Sequence, residues 1–359
     1  MRSSFIGLWF FLITVGSTTA QNLSTRQLAV HDRVVSFRES GVIPGVAVAI
    51  THHGELIYAE GFGYADLENQ VPVDPLRTKF RIGSISKSLT AAVLARQYQR
   101  GEIDLDATIQ TYLPDYPVNG GKDRITLRLL GGHLAGIRHY RGEEFLLNVH
   151  YADVQSALQI FESDSLLSLP GSAYSYSSYG FNLLSAAMEA AAGKPFLQLM
   201  KDELFLPLGL MHTCADQVSD IIADRTSYYA RDLQGNIINA PAVDNSYKWA
   251  GGGFIASATD LCHFAYTLLG EDFWKPSIRD QFIQSQRTTS GESTGYGIGF
   301  SSHNDEAGRH WFGHSGGSVG GTSNMVIYPV EELIIVVLTN ASNVRIGQLN
   351  QELAALILD

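Results

Sequence analysis

The chain reads as a mixed α/β protein of the α+β kind. One antiparallel sheet is built from both chain ends and flanked by helices, with a mainly helical insertion between. Three observations predict this. Val46 to Ile50 and Leu56 to Ala59 are β-rich apolar runs on either side of a His53-Gly54 turn, which is a hairpin signal. Tyr296 to Phe300, Arg309 to Phe312, Thr322 to Tyr328 and Leu333 to Thr339 are strand-like runs near the other end. From about Leu105 to Asp260 the pattern is mainly helical, broken by Pro114, Pro117, Pro170, Pro195 and Pro207. The expected division is a sheet subdomain over about 21–104 and 261–359, an insertion over about 105–260, and a cleft between them.

Taken in order, residues 1–20 stand apart. Arg2 supplies a positive start, Phe5 to Val15 is an apolar run, and Thr18 and Ala20 suit a signal-peptidase site. This predicts a cleaved signal peptide, Gln21 as first mature residue, and a secreted or periplasmic protein. The run is short for a span of about 20 residues, and no later stretch is apolar enough to cross a membrane. Thr25 to Glu39 follows as an amphipathic helix, then the hairpin. The next helix opens at Ser84 and stops at Gly101, after Arg96 and Arg100 in its last turn. A helix from about Phe181 to Gly193, one beginning near Ser257 to Asp260, and a closing helix from Val344 to Leu358 complete the reading.

Composition removes several function classes. Of 359 residues, 45% are hydrophobic and 17% charged, which excludes a disordered chain. The net charge is −11 with no basic block, so phosphate-driven nucleic-acid binding is not expected. Two cysteines, Cys214 and Cys262, leave pairing open in an exported protein. With His212 and His263 they match no usual zinc spacing, so no metal and no cofactor are expected. Asn22-Leu23-Ser24 and Asn340-Ala341-Ser342 are glycosylation sequons.

The chemistry starts at Ser84-Ile85-Ser86-Lys87. A serine hydroxyl needs a base, and residues three apart share a helix face, so Lys87 can point its amine at Ser84. Desolvation would lower the amine's pKa, and the helix N-terminus favours an alkoxide-like Ser84. By itself the pair also fits a serine N-cap with an unrelated exposed lysine. Tyr176, in a loop before a helix, is placed to share that proton network, or simply to pack its ring. His314-Ser315-Gly316-Gly317 lies between strand-like runs. The Gly317 N–H, with that of Ser84, would make a two-donor oxyanion hole. His314 would hold a substrate carboxylate or assist proton transfer. A glycine-rich hairpin with a surface histidine is the alternative.

Together, Ser84-x-x-Lys87, Tyr176-x-Ser178 and His314-Ser315-Gly316 resemble the motifs of the serine beta-lactamase-like hydrolases. That family includes class C beta-lactamases, penicillin-binding DD-peptidases, esterases and aminopeptidases. Gly61 to Asp66, Leu129 to Gly136 and Gly251 to Ser257 resemble it too. Gly136 to Tyr140 and Val243 to Phe254 are most similar to its animal mitochondrial serine protease-like branch. The resemblance implies a beta-lactamase/transpeptidase-like fold and an acyl-enzyme on Ser84. Lys87 and Tyr176 would shuttle protons. Ser84 and Gly317 amides would bind the oxyanion, and His314, Ser315, Gly316 and Ser178 would line the substrate side. Ser178 replaces the usual asparagine, and His314 a common lysine. Both departures point from beta-lactams toward a peptidase or esterase; a peptidase is the expected activity, with DD-carboxypeptidase, beta-lactamase and carboxylesterase as alternatives. A peptide or ester is the expected substrate, and a homo-oligomer or filament the expected assembly. A non-catalytic filament-forming or binding protein is the alternative from another class.

Overall fold

The computed structural model describes residues 24–359. The leader read at 1–20, the cleavage point before Gln21 and the first two residues of the Asn22 sequon lie outside the described residues. Helix α1 (Thr25–Ser40) begins at a capping box, in which Ser24 and Gln27 satisfy each other's backbone N–H groups. Strands β1 (Gly45–His52) and β2 (Glu55–Asp66) form the expected hairpin, and β3 (Val71–Pro72) adds to β2. Short β4 (Phe80–Arg81) leads into α2 (Ile85–Gln99).

The insertion's helices are mostly short. They are α3 (Leu127–Gly131), α4 (Ser178–Ala192), α5 (Phe196–Met200) and α6 (Trp249–Gly252), with several 3-10 turns. Strands β5 (Thr213–Ala215), β6 (Tyr229–Arg231), β7 (Ile237–Asn239) and β8 (Phe254–Ala256) lie among them. Helices α7 (Ala258–Thr267) and α8 (Pro276–Ile283) lead to β9 (Ser301–Asn304), β10 (His310–Ser318), β11 (Gly321–Tyr328) and β12 (Leu333–Thr339). Helix α9 (Gly347–Leu358) closes the chain.

The main sheet runs β3-β2-β1-β12-β11-β10-β9, antiparallel throughout, so the two chain ends meet where β1 pairs with β12. Those strands are apolar in nearly every position because both faces are covered. Val46, Val48 and Ile50 pack with Val337, Leu349 and Leu353 on the α1/α9 side. Ala47 and Ala49 pack with Val336 and Leu338 on the α2/α7 side. Full burial of one such Val or Leu contributes roughly 1.5–3 kcal/mol. Helix α2 is buried almost all round, from Ile85 to Ala95, and forms the axis between sheet and insertion.

Several expectations change. Tyr296 to Phe300 is not a strand. Gly299 has φ +78°, and a Cβ there would stand 2.4 Å from the Ala91 Cβ. The Ile298 N–H donates to the Phe282 carbonyl and Ser88 to that of Gly299, so the segment is spent as a loop against α2 and α8. Helix α4 starts at Ser178 rather than Phe181, because Ser177 caps it by accepting from the Gly180 N–H at 2.9 Å. Both cysteines are free thiols. Cys262 donates to the Ala49 carbonyl, and burial pushes its thiol up to about 12. Asn340 is fully buried and donates to the Tyr64 and Ala65 carbonyls, which removes its sequon from any surface. Among the described residues, no group of three His, Cys, Asp or Glu side chains could share a metal ion, and no helix is long and apolar enough to cross a membrane.

Candidate active site

Ser84 occupies the N-cap position of α2, yet its side chain makes no capping bond. Its hydroxyl is therefore available for chemistry, and the simple N-cap alternative fails. Lys87 is not an exposed neighbour either: it is 0% exposed. Its Nζ lies 2.6 Å from the Gly251 carbonyl, 2.9 Å from Ser178 Oγ and 3.0 Å from Ser84 Oγ. Burial, then the nearby Lys248 charge, holds Lys87 well below the usual lysine range. A neutral amine has two N–H donors and one lone pair. The Gly251 carbonyl can only accept, and Ser178 takes the second proton. The lone pair is then left for the Ser84 O–H, the arrangement a general base requires.

Two glycines let the other half of the site close on Ser84. Gly83 has φ +49°, and a Cβ there would lie 2.7 Å from the Gly317 carbonyl oxygen. At Gly316 a Cβ would meet the Ile82 carbonyl oxygen at 2.0 Å. Ser323 Oγ ties the same carbonyl to β11 at 2.7 Å. The Ser84 and Gly317 main chains thus line one cavity, with His139, Tyr140, Phe145, Ser178, Lys248, Gly251 and Gly252.

The Tyr176 ring centroid lies 4.9 Å from Lys87 Nζ. Burial raises its phenol pKa strongly, so the hydroxyl keeps its proton at rest and suits a relay more than a resting base. Two imidazoles hold the adjoining helix start. His133 Nδ1 accepts from the Ser177 N–H at 3.1 Å, and His139 Nδ1 from the Ser178 N–H at 3.2 Å. Both must be neutral to accept. Burial, then the Lys87 charge, pushes His139 down to about 4 and His133 well below its ordinary value.

His314 and Ser315 require correction. His314 is buried behind the site and presents no free nitrogen. Its Nδ1–H donates to the Ser315 carbonyl at 2.5 Å, and its Nε2 accepts from the Tyr296 hydroxyl at 2.8 Å. Burial, then the Lys87 charge, takes it to about 3, so it is uncharged and holds no substrate carboxylate. Strand alternation turns Ser315 to the opposite sheet face, where it lines a cavity with Trp311, Asn324 and Gln348. Gly316 serves as the close-approach position described above rather than as a substrate contact.

Sequence reasoning singled out Ser84, Lys87, Tyr176, Ser178 and Gly317, and the structure brings these together. It did not single out His133, His139, Tyr140, Lys248 or Tyr296. For His133 the available signal was a polar residue embedded in the glycine-rich run Gly131 to Gly136, where backbones approach closely.

Comparison with known proteins bears on the family and the fold. The chain is 31% identical over 293 residues to the human Serine beta-lactamase-like protein LACTB, mitochondrial. That match covers 63% of this chain and 53% of the human protein, so the chain spans about half the length of the curated relatives it matches. A penicillin-binding protein homologue from Pyrococcus abyssi, described as octameric, superposes with a TM-score of 0.79 at 23% identity, covering 92% of this chain and 76% of that one. A D-amino acid amidase from Ochrobactrum anthropi superposes with a TM-score of 0.79 at 19% identity, covering 92% and 99%. These two likenesses show the fold. The model of the Beta-lactamase family matches residues 30–359, and the chain belongs to that family.

Proposed function

We propose that this protein is a serine hydrolase that forms an acyl-enzyme on Ser84 and acts chiefly as a peptidase. The observation that carries the reading is the buried Lys87 Nζ, held 3.0 Å from an uncapped, partly exposed Ser84 hydroxyl. Lys87 takes the Ser84 proton as Oγ attacks the carbonyl. The Ser84 and Gly317 amides receive the developing oxyanion. Tyr176 relays the proton to the leaving group, and water then releases the acyl group along the reverse route.

Peptides are favoured over beta-lactams by two features. Ser178 offers one hydroxyl where the family's second motif commonly has an amide, and His314 supplies no fixed charge. DD-carboxypeptidase, beta-lactamase and esterase activities are the alternatives within the class. A fluorophosphonate probe tests the whole reading: wild-type protein is labelled and Ser84→Ala is not. Equal labelling of both, or of neither, would leave the non-catalytic binding protein as the better account. Turnover of matched peptide, ester and beta-lactam substrates then ranks the alternatives.

The leader pattern over residues 1–20 supports export, with Gln21 expected as the first residue of the secreted protein. Intact-mass measurement showing Met1 retained ends that part of the proposal. Assembly into an oligomer or filament rests on family resemblance, and light scattering of a monomer at all concentrations would remove it.

A further inference from the structure

Among the described residues, none pairs with the buried Lys248 amine. Lys248 stands just before α6 and is 2% exposed. The ammonium lies 4.4 Å from the Phe145 ring centroid, 5.0 Å from that of Tyr247 and 5.6 Å from that of Tyr140. Three aromatic rings offset part of the desolvation cost. They do not replace a counter-ion.

The acids around it are already used. Asp216 accepts from Arg81 at 2.7 Å and Asn245 at 2.9 Å, and from Arg225 and Tyr228 at 3.3 Å each. Glu144 accepts from Arg138, Tyr179 and the Arg141 N–H. Asp244 accepts from the Ser246 N–H and contacts His150. Within the cleft Lys87, His133, His139 and His314 are all depressed toward their neutral forms. Lys248 is held near 7, so it is protonated in part at neutral pH, and, with its Nζ unpartnered among the described residues, it lines the same cavity as Ser84 and Gly317.

We propose that Lys248 is the specificity-determining residue of this cleft and that the preferred substrates carry a carboxylate, which meets the Lys248 ammonium while the scissile carbonyl lies between the Ser84 and Gly317 amides. The placement of the carbonyl rests on the acyl-enzyme reading above. Burial, then the Arg81 charge, holds Lys248 near 7, so an arriving anion also stabilises its protonated form. The carboxylate belongs either to the acyl group or to the leaving group, and both positions reach the same ammonium.

Two matched substrate pairs separate those sources. One compares a p-nitrophenyl hemiglutarate ester with the valerate ester. The other compares a 3-carboxyphenyl ester with the phenyl ester of one neutral acid. The carboxylate member of at least one pair is expected to have a kcat/KM roughly 10–100-fold higher, the value of a charge-assisted contact. Lys248→Met should remove most of that preference, Lys248→Arg should keep part of it, and Lys248→Glu should reverse it toward a cationic substrate. Titration of Ser84→Ala with glutaric acid monoanilide and with neutral valeranilide gives the same comparison without turnover. Wild-type protein labelled by fluorophosphonate but indifferent to the carboxylate in all these assays overturns the role of Lys248 alone. A carboxylate preference in the binding titration, with no labelling, upholds Lys248 and overturns the acyl-enzyme reading instead. Equal losses for charged and neutral substrates in Lys248→Met also defeat the inference.

Discussion

Lys87 Nζ and Ser178 Oγ stand 2.9 Å apart, joining the first turn of α2 to the first turn of α4. Ser178 also lines the cavity beside Tyr140, so one small side chain both orients the base and forms part of the pocket wall. Replacement by alanine leaves a buried Lys87 N–H without its acceptor. That omission costs about 1–3 kcal/mol. Ser178→Ala should lower kcat/KM by roughly 10–100-fold, taking about 1.4 kcal/mol as tenfold. Ser178→Asn, which restores an acceptor, should recover part of the loss. Unchanged kinetics in Ser178→Ala would show that Lys87 needs no such partner.

The rate should follow the proton on Lys87. A base acts only when neutral, and its neutral fraction grows as pH rises through its pKa. Burial, then Lys248, lowers that pKa. The rise of kcat/KM with pH should therefore be complete well below 10.5. Tyr176, His133 and His139 also lie near Lys87, but their depressed or raised values keep them in their neutral forms near pH 7, while Lys248, near 7, adds a second titration below that of an ordinary lysine. An ascending limb centred near 10.5 would rule out a depressed Lys87 as the base.

Stability should depend on pH through the imidazoles. His139 near 4 and His314 near 3 are neutral in the folded chain but accept protons near 6.5 when unfolded. The unfolded state then binds more protons between those values, so stability falls as pH drops from about 6.5 toward 3. Melting temperatures measured from pH 7.5 to 4.5 should decline, and His314→Gln should flatten the slope. A slope identical to wild type in that variant would show that His314 does not titrate on unfolding.

Close approach at Gly316 should be intolerant of a side chain. A Cβ would lie 2.0 Å from the Ile82 carbonyl oxygen, and that oxygen also accepts from Ser323. Gly316→Ala must push β10 away from the residue before Gly83. Loss of one oxyanion donor costs about 10²–10³ in kcat, which sets the expected effect. The melting temperature should also fall. Near-normal turnover in Gly316→Ala would mean that the Gly317 amide is not an oxyanion donor.

Breaking the Arg81–Asp216 pair should be mainly a stability event. The two side chains are almost fully buried and 2.7 Å apart. Asp216→Asn leaves the Arg81 charge uncompensated and should destabilise the fold by about 3–5 kcal/mol. Urea denaturation measures it, and a change under 1 kcal/mol, the scale of about one exposed pair, would contradict the assignment.

Much of the fold and part of the site were legible in the residues. Continuous β-rich apolar runs and a turn signal identify β1, β2, β11 and β12, and Ser84-x-x-Lys87, taken with Tyr176 and the His314-Ser315-Gly316-Gly317 run, identifies the nucleophile and base. Tyr296 to Phe300 misleads because its alternation is that of a strand, while Gly297 and Gly299 serve close packing against α8 and α2. His314 misleads for a similar reason. A histidine beside glycines looks exposed, and only the fold reveals that Tyr296 and the Ser315 carbonyl consume both nitrogens. Lys248 was invisible as a site residue, since nothing local in a sequence says that a lysine's neighbouring acids will be occupied elsewhere.

The pairing of β1 with β12 has a consequence in time. Synthesis delivers Ser84 and Lys87 early, on a helix whose buried faces have no sheet to pack on. The Gly317 strand and its β11 and β12 neighbours follow only after the insertion. A nascent chain can carry the nucleophile and its base but not the cradle for the oxyanion. Lys87 also lacks the Ser178 and Gly251 partners until the insertion is made. Synthesis of β10 is therefore the step that brings the Gly317 main chain to Ser84, and a fragment ending before β10 would lack that half of the cavity.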